Sequence, residues 1–181
     1  MATTPKVRSV LLTRSVKYRR GRNHGDNERG RALFSLKTPR VLAKVNSEVR
    51  GRYASYADID PGSAQQLPYL QAVINEALRM YPSGAQGFPR LSPGTTVDGL
   101  WVPKGTEIYT CTWVASRNPD YWHRPDEFIP ERWIDSDSTD VKAASQPFSL
   151  GYRACPGKRY VVFTHSFHMV VVGPPGLASV S

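Results

Sequence analysis

The sequence has only two cysteines, Cys111 and Cys155, among its 181 residues. A disulfide-stabilised secreted domain would need more, so both are predicted to be free thiols in a reduced compartment. Long apolar runs are also lacking, and no charged-then-apolar leader opens the chain, so neither a membrane span nor a signal peptide is expected. A chain of this length with 40% hydrophobic residues can still form one domain with a real core.

Positive charge is scarce outside one end of the chain. Residues 1–52 contain 14 Lys and Arg against 3 Asp and Glu, whereas residues 53–181 contain 10 against 12. A basic arm is typical of nucleic-acid-binding proteins, which makes a small protein of that class one alternative. The arginines are not interleaved with the aromatic residues that a base-stacking surface needs. The favoured interpretation is a disordered or aberrant segment over residues 1–32, with no nucleic-acid partner.

Two helices are predicted in the first half of the chain. Thr38 and Pro39 are typical of an N-cap followed by a first turn. One face of that helix would carry the apolar residues Val41, Leu42, Val45 and Val49. The second helix is predicted to begin at Pro68 and to end before Pro82. Its apolar stripe would consist of Leu70, Ile74, Ala77, Leu78 and Tyr81.

Strand-like sequence follows the second helix. Residues 95–102 and 106–112 are separated by a Pro-Lys-Gly turn at 103–105, which predicts that these two runs pair as a hairpin. Residues 117–147 are rich in Pro, Asp and Ser and are predicted to form an extended connection. The expected fold is therefore mainly α with a small β-sheet.

Glu76 and Arg79 are three residues apart in the second predicted helix, so their side chains share one face and can form an ion pair. Such pairs commonly lie on solvated helix faces. Far downstream, the Pro-Glu-Arg-Trp sequence at residues 130–133 supplies a second arginine, Arg132. We expect it to complete a buried Glu-Arg-Arg cluster, because a buried ion cluster is tolerated only when every charge is paired.

The segment from Phe148 to Gly157 has the sequence Phe-Ser-Leu-Gly-Tyr-Arg-Ala-Cys-Pro-Gly. Its glycines and proline predict a tight loop that presents the sulfur of Cys155 while its backbone lies close to a flat partner. Thiolate is the reactive and metal-ligating form of cysteine, and nearby positive charge stabilises it. A buried structural role is the simpler interpretation for Cys111, which lies in strand-like sequence.

Taken together, these segments resemble the cytochrome P450 family. Phe148–Gly157 resembles its cysteine-loop signature, Glu76–Arg79 its Glu-x-x-Arg helix, and Pro130–Trp133 its Pro-Glu-Arg-Trp motif. The joining sequence, such as Leu-Pro-Tyr-Leu at 67–70 and Trp-His-Arg-Pro-Asp-Glu-Phe at 122–128, is most similar to that of microsomal enzymes of filamentous fungi. The resemblance covers roughly residues 33–158, a partial, C-terminal part of the family's fold.

The resemblance implies a haem site around the cysteine loop. The cofactor would be haem b (iron protoporphyrin IX), with Cys155 as the axial ligand of the iron. Phe148 would pack near the sulfur, and Gly151 and Gly157 would let the loop approach the porphyrin. Arg153, and also Arg90, would contact the haem propionates. The structural residues Glu76, Arg79 and Arg132 would hold the core behind the haem.

Two departures from the family pattern stand out. No Glu-Thr or Asp-Thr pair for oxygen activation occurs in frame before Leu33, so no catalytic residue is identified. The cysteine loop should also run into a long apolar helix, whereas here the pattern is expected to collapse towards Gly173-Pro174-Pro175-Gly176. Residues 159–181 are therefore predicted to be an aberrant tail, such as a translated intron, and residues up to about 31 an out-of-frame translation.

The predicted function is a haem-thiolate monooxygenase fragment. In the intact family, one oxygen atom from O2 enters a small organic substrate, with electrons from NADPH-cytochrome P450 reductase. The intact family is expected at the endoplasmic reticulum membrane, and this chain, without an anchor, in the cytoplasm. The main alternative is an inactive truncated remnant that does not bind haem.

Overall fold

The structure, a computed structural model, describes residues 38–171. The basic segment 1–32 and the last ten residues, 172–181, lie outside the described residues. The helices are α1 Pro39–Arg52, α2 Pro61–Ala64, α3 Pro68–Met80, α4 Thr112–Ala115 and α5 Lys158–Val171. Short 3-10 helices span Tyr56–Asp58, Pro130–Trp133, Lys142–Ala144 and Gly151–Arg153. The strands are β1 Arg90–Leu91, β2 Thr95–Val97, β3 Leu100–Val102 and β4 Glu107–Ile108. The expected mainly α fold with a small amount of β-structure is confirmed.

The core lies between α1 and α3. Val41, Val45 and Val49 are buried along one face of α1, as their spacing predicts. They pack with apolar side chains of α3, including Leu70 and Leu78, in a single hydrophobic cluster. Because α3 is buried over most of its length, it can carry charged side chains into the interior.

Helix α3 begins without a side-chain cap of its own, and a glutamate from α1 replaces it. The two carboxylate oxygens of Glu48 accept hydrogen bonds from the backbone N–H groups of Tyr69 and Leu70, each at 2.8 Å. These N–H groups have no partner within the helix, and a negative charge at a helix N-terminus is also favourable. Glu48 thus fixes α3 relative to α1.

Replacing Glu48 with alanine should lower the free energy of unfolding by about 1–2 kcal/mol, because two N–H groups lose their acceptor and the helix loses its capping charge. Urea unfolding followed by far-UV circular dichroism measures the change. The matched control is Glu107→Ala, at an exposed position on β4. Equal midpoints for the two variants would show that Glu48 does not stabilise α3.

The predicted hairpin is wrong in its pairing. β2 pairs with β3, in the register Thr95 with Val102, and the turn between them is Asp98-Gly99. Both turn residues have positive φ, 50° and 80°, which is the geometry of a two-residue hairpin and favours Asp-Gly. The predicted turn at Lys104-Gly105 does form, but it places β4 beside β1. The Asp98-Gly99 turn lies in the middle of the run predicted as one strand, so residues 95–102 pair with themselves.

The first part of the predicted tail, residues 159–171, is helical, whereas the predicted break at residues 173–176 lies outside the described residues. Helix α5 spans 14 residues, Lys158–Val171, and packs against α2 and α3. This run contains neither proline nor glycine, and its Val170 joins the core while Ser166 accepts a hydrogen bond from Gln71 at 2.9 Å. The Pro-Gly sequence that breaks the pattern begins only at Gly173. The origin of residues 159–181 as a translated intron stays a prediction.

Among residues 38–171, no helix combines the length and apolar character needed to cross a membrane.

Candidate functional site

Helix α3 carries a buried ion pair in its last turns. The side chains of Glu76 and Arg79 are both fully buried. Arg79 donates from Nε to Glu76 Oε2 at 2.9 Å and from Nη2 to Glu76 Oε1 at 2.8 Å. This two-pronged geometry suits the planar guanidinium, which presents two parallel N–H groups to a carboxylate.

The Glu76 carboxylate accepts three more hydrogen bonds from the 3-10 helix Pro130–Trp133 and the residue before it. The donors are Arg132 Nε at 3.1 Å, the Ile129 N–H at 3.0 Å and Trp133 Nε1 at 2.9 Å. With these and Arg79, the lone pairs of Glu76 are saturated, which a buried carboxylate requires. The structure therefore brings the three residues Glu76, Arg79 and Arg132 together in one buried charge cluster.

Arg79 also binds the connection between β4 and the cysteine loop. Its remaining N–H groups donate to the backbone oxygens of Ser116 at 2.5 Å, Pro125 at 2.7 Å and Glu127 at 3.1 Å. Its guanidinium lies 5.0 Å from the centre of the buried Trp122 ring, within reach of a cation–π interaction. One buried arginine thus holds three points of an otherwise irregular segment against α3.

The cysteine loop, Phe148–Gly157, places its sulfur at the surface. Cys155 is exposed, and its N–H donates to the Phe148 oxygen at 2.8 Å, which closes the loop. Inside the loop, Ser149 and Gly151 have positive φ, 60° and 69°. Glycine adopts this conformation without the steric cost that other residues incur, so Gly151 suits its position.

The neighbours of Cys155 anchor one side of the loop and leave the other open. Phe148 packs against the hydrophobic core and fixes the start of the loop. A Cβ atom on Gly157 would lie 3.6 Å from the Cys155 sulfur, an ordinary van der Waals contact, so Gly157 lies directly beside the sulfur. Arg153 lies in the loop with its guanidinium 5.6 Å from the Tyr152 ring.

Arg90, the other predicted propionate contact, lies outside the loop, on β1, and donates to the Pro89 oxygen at 3.1 Å.

Glu131 forms a second electrostatic centre that the sequence analysis missed. Its carboxylate accepts hydrogen bonds from Arg40 at 2.5 Å and Lys44 at 2.8 Å, both on α1, and from the Tyr69 hydroxyl at 3.1 Å. Partial burial alone would raise the pKa of Glu131, but the hydrogen bonds from Lys44 and Arg40 lower it to about 2. Burial and the negative charge of Glu131 raise the pKa of Tyr69. Glu131 thus joins α1 to the segment that carries Arg132.

This arrangement predicts a loss of stability in acid. The pKa of Glu131 is about 2 in the folded chain and 4.5 for a free glutamate, so its contribution is complete above about pH 4.5 and is lost as the pH falls towards 2. Because the side chain remains 31% exposed, we expect only about 1 kcal/mol. Urea unfolding at several pH values should show a shallower acid dependence for Glu131→Gln than for the wild type. An unchanged slope would contradict the assignment.

Most of the chain matches the sequence model of a known protein family. The cytochrome P450 model matches residues 32–160, which include the buried charge cluster and the cysteine loop. The chain belongs to the cytochrome P450 family. Members of this family carry a haem cofactor.

Curated relatives from fungi are similar over the same region. Cytochrome P450 monooxygenase ORF9 of Penicillium roqueforti is 54% identical over 129 residues, which cover 71% of this chain and 25% of that protein. Cytochrome P450 monooxygenase BOT4 of Botryotinia fuckeliana is 42% identical over 133 residues, which cover 74% of this chain and 25% of that protein. The chain thus spans about a quarter of the length of these relatives. Cytochrome P450 monooxygenase aunB of Aspergillus niger, 40% identical over 127 residues, is covered to 80% of its length.

The residues of the cysteine loop fit a haem group. Among residues 38–171, no cluster of three or more His, Cys, Asp or Glu side chains could hold a metal ion by itself. The loop instead offers one exposed sulfur, that of Cys155. A single thiolate donor suits a metal that arrives with its other ligands already in place, as haem iron does. The loop also carries the cationic Arg153, which suits the anionic edge of such a group.

Proposed function

We propose that this chain is the haem-binding part of a cytochrome P450 monooxygenase and that Cys155 is the axial ligand of the haem iron. The observation that carries the proposal is the exposed sulfur of Cys155 on a loop closed by the hydrogen bond from its own N–H to the Phe148 oxygen. The loop is anchored in the core by Phe148. The family match over residues 32–160 and the names of the fungal relatives support it.

Each residue of the cysteine loop has a distinct part in this proposal. Cys155 holds the iron as a thiolate, and Phe148 fixes the position of the loop. Gly157 would let the loop backbone approach the porphyrin, and its position beside the sulfur, 3.6 Å from an added Cβ, fits that role. The positive φ of Gly151, 69°, turns the chain before Arg153. Arg153 and Arg90 bind the propionates, since their guanidinium groups can pair with carboxylates.

The buried charge cluster holds the site together from behind. Glu76 and Arg132 join α3 to the 3-10 helix Pro130–Trp133, from which the chain runs on to the cysteine loop. These residues orient the protein around the cofactor and do not contact the reacting atoms.

When bound, a thiolate-ligated haem supplies the activation of O2, because the thiolate donates electron density that favours O–O cleavage. In the intact enzyme this chemistry would insert one oxygen atom into a small organic substrate and reduce the other to water. We infer that the electrons come from NADPH through NADPH-cytochrome P450 reductase, as is general for the family. An endoplasmic reticulum setting, also general for fungal members of the family, is part of the same proposal.

The test is to express the full chain with haem supplied and to record the reduced carbon monoxide difference spectrum. Thiolate ligation should give a band near about 450 nm, the diagnostic position for this axial ligand. Haem retention after gel filtration, measured from the ratio of haem to protein absorbance, gives an independent readout. A folded chain that retains no haem would instead be a remnant that keeps the family signature without the cofactor.

A further inference from the structure

The buried charge cluster has an excess of positive charge if only Glu76, Arg79 and Arg132 are counted. Two guanidinium groups face one carboxylate, and the exposed fraction of these side chains is 0%, 0% and 3%. An uncompensated charge in such a place is costly, because the interior solvates it poorly. A second carboxylate is therefore required nearby.

Asp140 supplies that carboxylate. Its Oδ2 atom forms an ion pair with Arg132 Nη1, and its side chain is only 3% exposed. With Asp140 included, two negative and two positive groups balance. Burial alone would raise the pKa of Asp140, but hydrogen bonds from the His123 N–H and from Arg132 lower it, so the group is held in its charged form.

Asp140 also fixes the backbone of the segment that precedes the cysteine loop. Its Oδ1 atom accepts the His123 N–H at 2.5 Å, and Arg132 donates to the His123 oxygen at 2.9 Å. The next residue, Val141, donates to the Tyr121 oxygen at 2.8 Å. From there only the 3-10 helix Lys142–Ala144 and a short linker lead to Phe148, the first residue of the cysteine loop.

We propose that Asp140 is a positioning residue: it neutralises the buried charge cluster and, through Arg132 and His123, fixes the segment that leads into the cysteine loop. Its action on Cys155 is indirect, and its relevance to the cofactor rests on the proposed function. Asp140 occurs in none of the sequence motifs, and only the ion pair with Arg132 reveals it.

The first test compares Asp140→Asn, Asp140→Glu and the control Asp137→Asn in the full chain without haem. Asp137 lies in the same segment but is exposed. Asp140→Asn should raise the unfolding equilibrium constant on the order of tenfold to a hundredfold, because Arg132 keeps Glu76 but loses its hydrogen bond to a second charged group. Asp140→Glu should lose less stability than Asp140→Asn because it keeps the negative charge, although asparagine is closer to aspartate in shape. If Asp140→Asn matches Asp137→Asn, or if Glu is worse than Asn, charge neutralisation by Asp140 is refuted.

The second test measures backbone hydrogen exchange in the same proteins. Asp140→Asn should speed exchange for the backbone amides between Val141 and Ser149 more than for those of α1. Uniformly faster exchange would refute the positioning role, and Asp140→Glu keeps this test valid if the Asn variant does not fold.

A third measurement separates this inference from the proposed function. With haem supplied, Asp140→Asn should give a weaker band near about 450 nm than Asp137→Asn at equal folded protein. If the wild type itself shows no band, the proposed function fails, while the results on stability and exchange still decide the role of Asp140. Equal bands in the two variants would overturn the link from Asp140 to the cysteine loop.

Discussion

Replacing Cys155 with alanine is expected to abolish the band near about 450 nm in the reduced carbon monoxide difference spectrum, because that position reports a thiolate as the axial ligand. Cys155 is exposed, so its loss removes no core packing, and the chain should fold as before. Circular dichroism and urea unfolding of the variant should therefore match those of the wild type. A spectral loss with unchanged folding would assign the ligand directly.

The second cysteine provides the matched control. Cys111 is half-buried, and its Sγ donates to the Ala85 oxygen at 3.4 Å, so it is committed to local structure. Cys111→Ala should keep the band. If Cys155→Ala also retained it, another residue would have to ligate the iron, and the central assignment would be wrong.

The largest effect on stability is expected for Glu76→Gln. The substitution removes the negative charge that faces both Arg79 and Arg132, and an amide nitrogen then points at one set of N–H donors. Breaking a buried ion cluster in this way costs about 3–5 kcal/mol. Since domains of this size are stable by only about 5–15 kcal/mol, much of the folded state should be lost. Guanidinium unfolding monitored by tryptophan fluorescence measures the loss of unfolding free energy, because Trp133 donates a hydrogen bond directly to Glu76.

A surface pair of the same spacing tests whether burial is the cause. Arg124 and Glu127 are also three residues apart and form an ion pair, but their side chains are 57% and 50% exposed. Glu127→Gln should change the free energy of unfolding by less than about 1 kcal/mol, as is usual for exposed pairs. Similar losses of unfolding free energy in Glu76→Gln and Glu127→Gln would show that burial of the charge cluster does not increase its contribution to stability.

Local sequence was enough for the features that depend on neighbouring residues. Pro39 and Pro82 mark the start of α1 and the end of α3, and the structure has helices at both places, although the Thr38 side chain makes no capping hydrogen bond. The apolar spacing of Val41, Val45 and Val49 identified the face of α1 that is buried. The mainly α fold and the membership of the cytochrome P450 family followed from such patterns and from the motifs.

The strand pairing was predicted incorrectly, and the helix after the cysteine loop was not expected, for identifiable reasons. The β region contains two turn signals, and the hairpin forms at Asp98-Gly99 and not at Lys104-Gly105, because Asp-Gly suits a two-residue turn. At α5, the expected loss of the pattern depended on the Pro-Gly run, which begins only at Gly173. The residues of α5 contain no helix breaker, and packing against α2 and α3 supports the helix they form.

The sequence by itself determined that α1 begins at Pro39 and that α3 begins at Pro68 and ends before Pro82. It also determined that Cys155 lies in a glycine-containing loop and that Glu76 and Arg79 share a helix face. These features depend on residues a few positions apart, which the chain brings together whatever the rest of the fold does. Only the tertiary structure decided that Glu48 caps α3, that Glu131 binds Arg40 and Lys44, and that Asp140 neutralises Arg132. Several of these partners are tens of residues apart, and many exposed acids in the sequence could equally have filled their places. Their pairing follows from how the helices pack, because burial selects the carboxylate that can reach each buried or capping position.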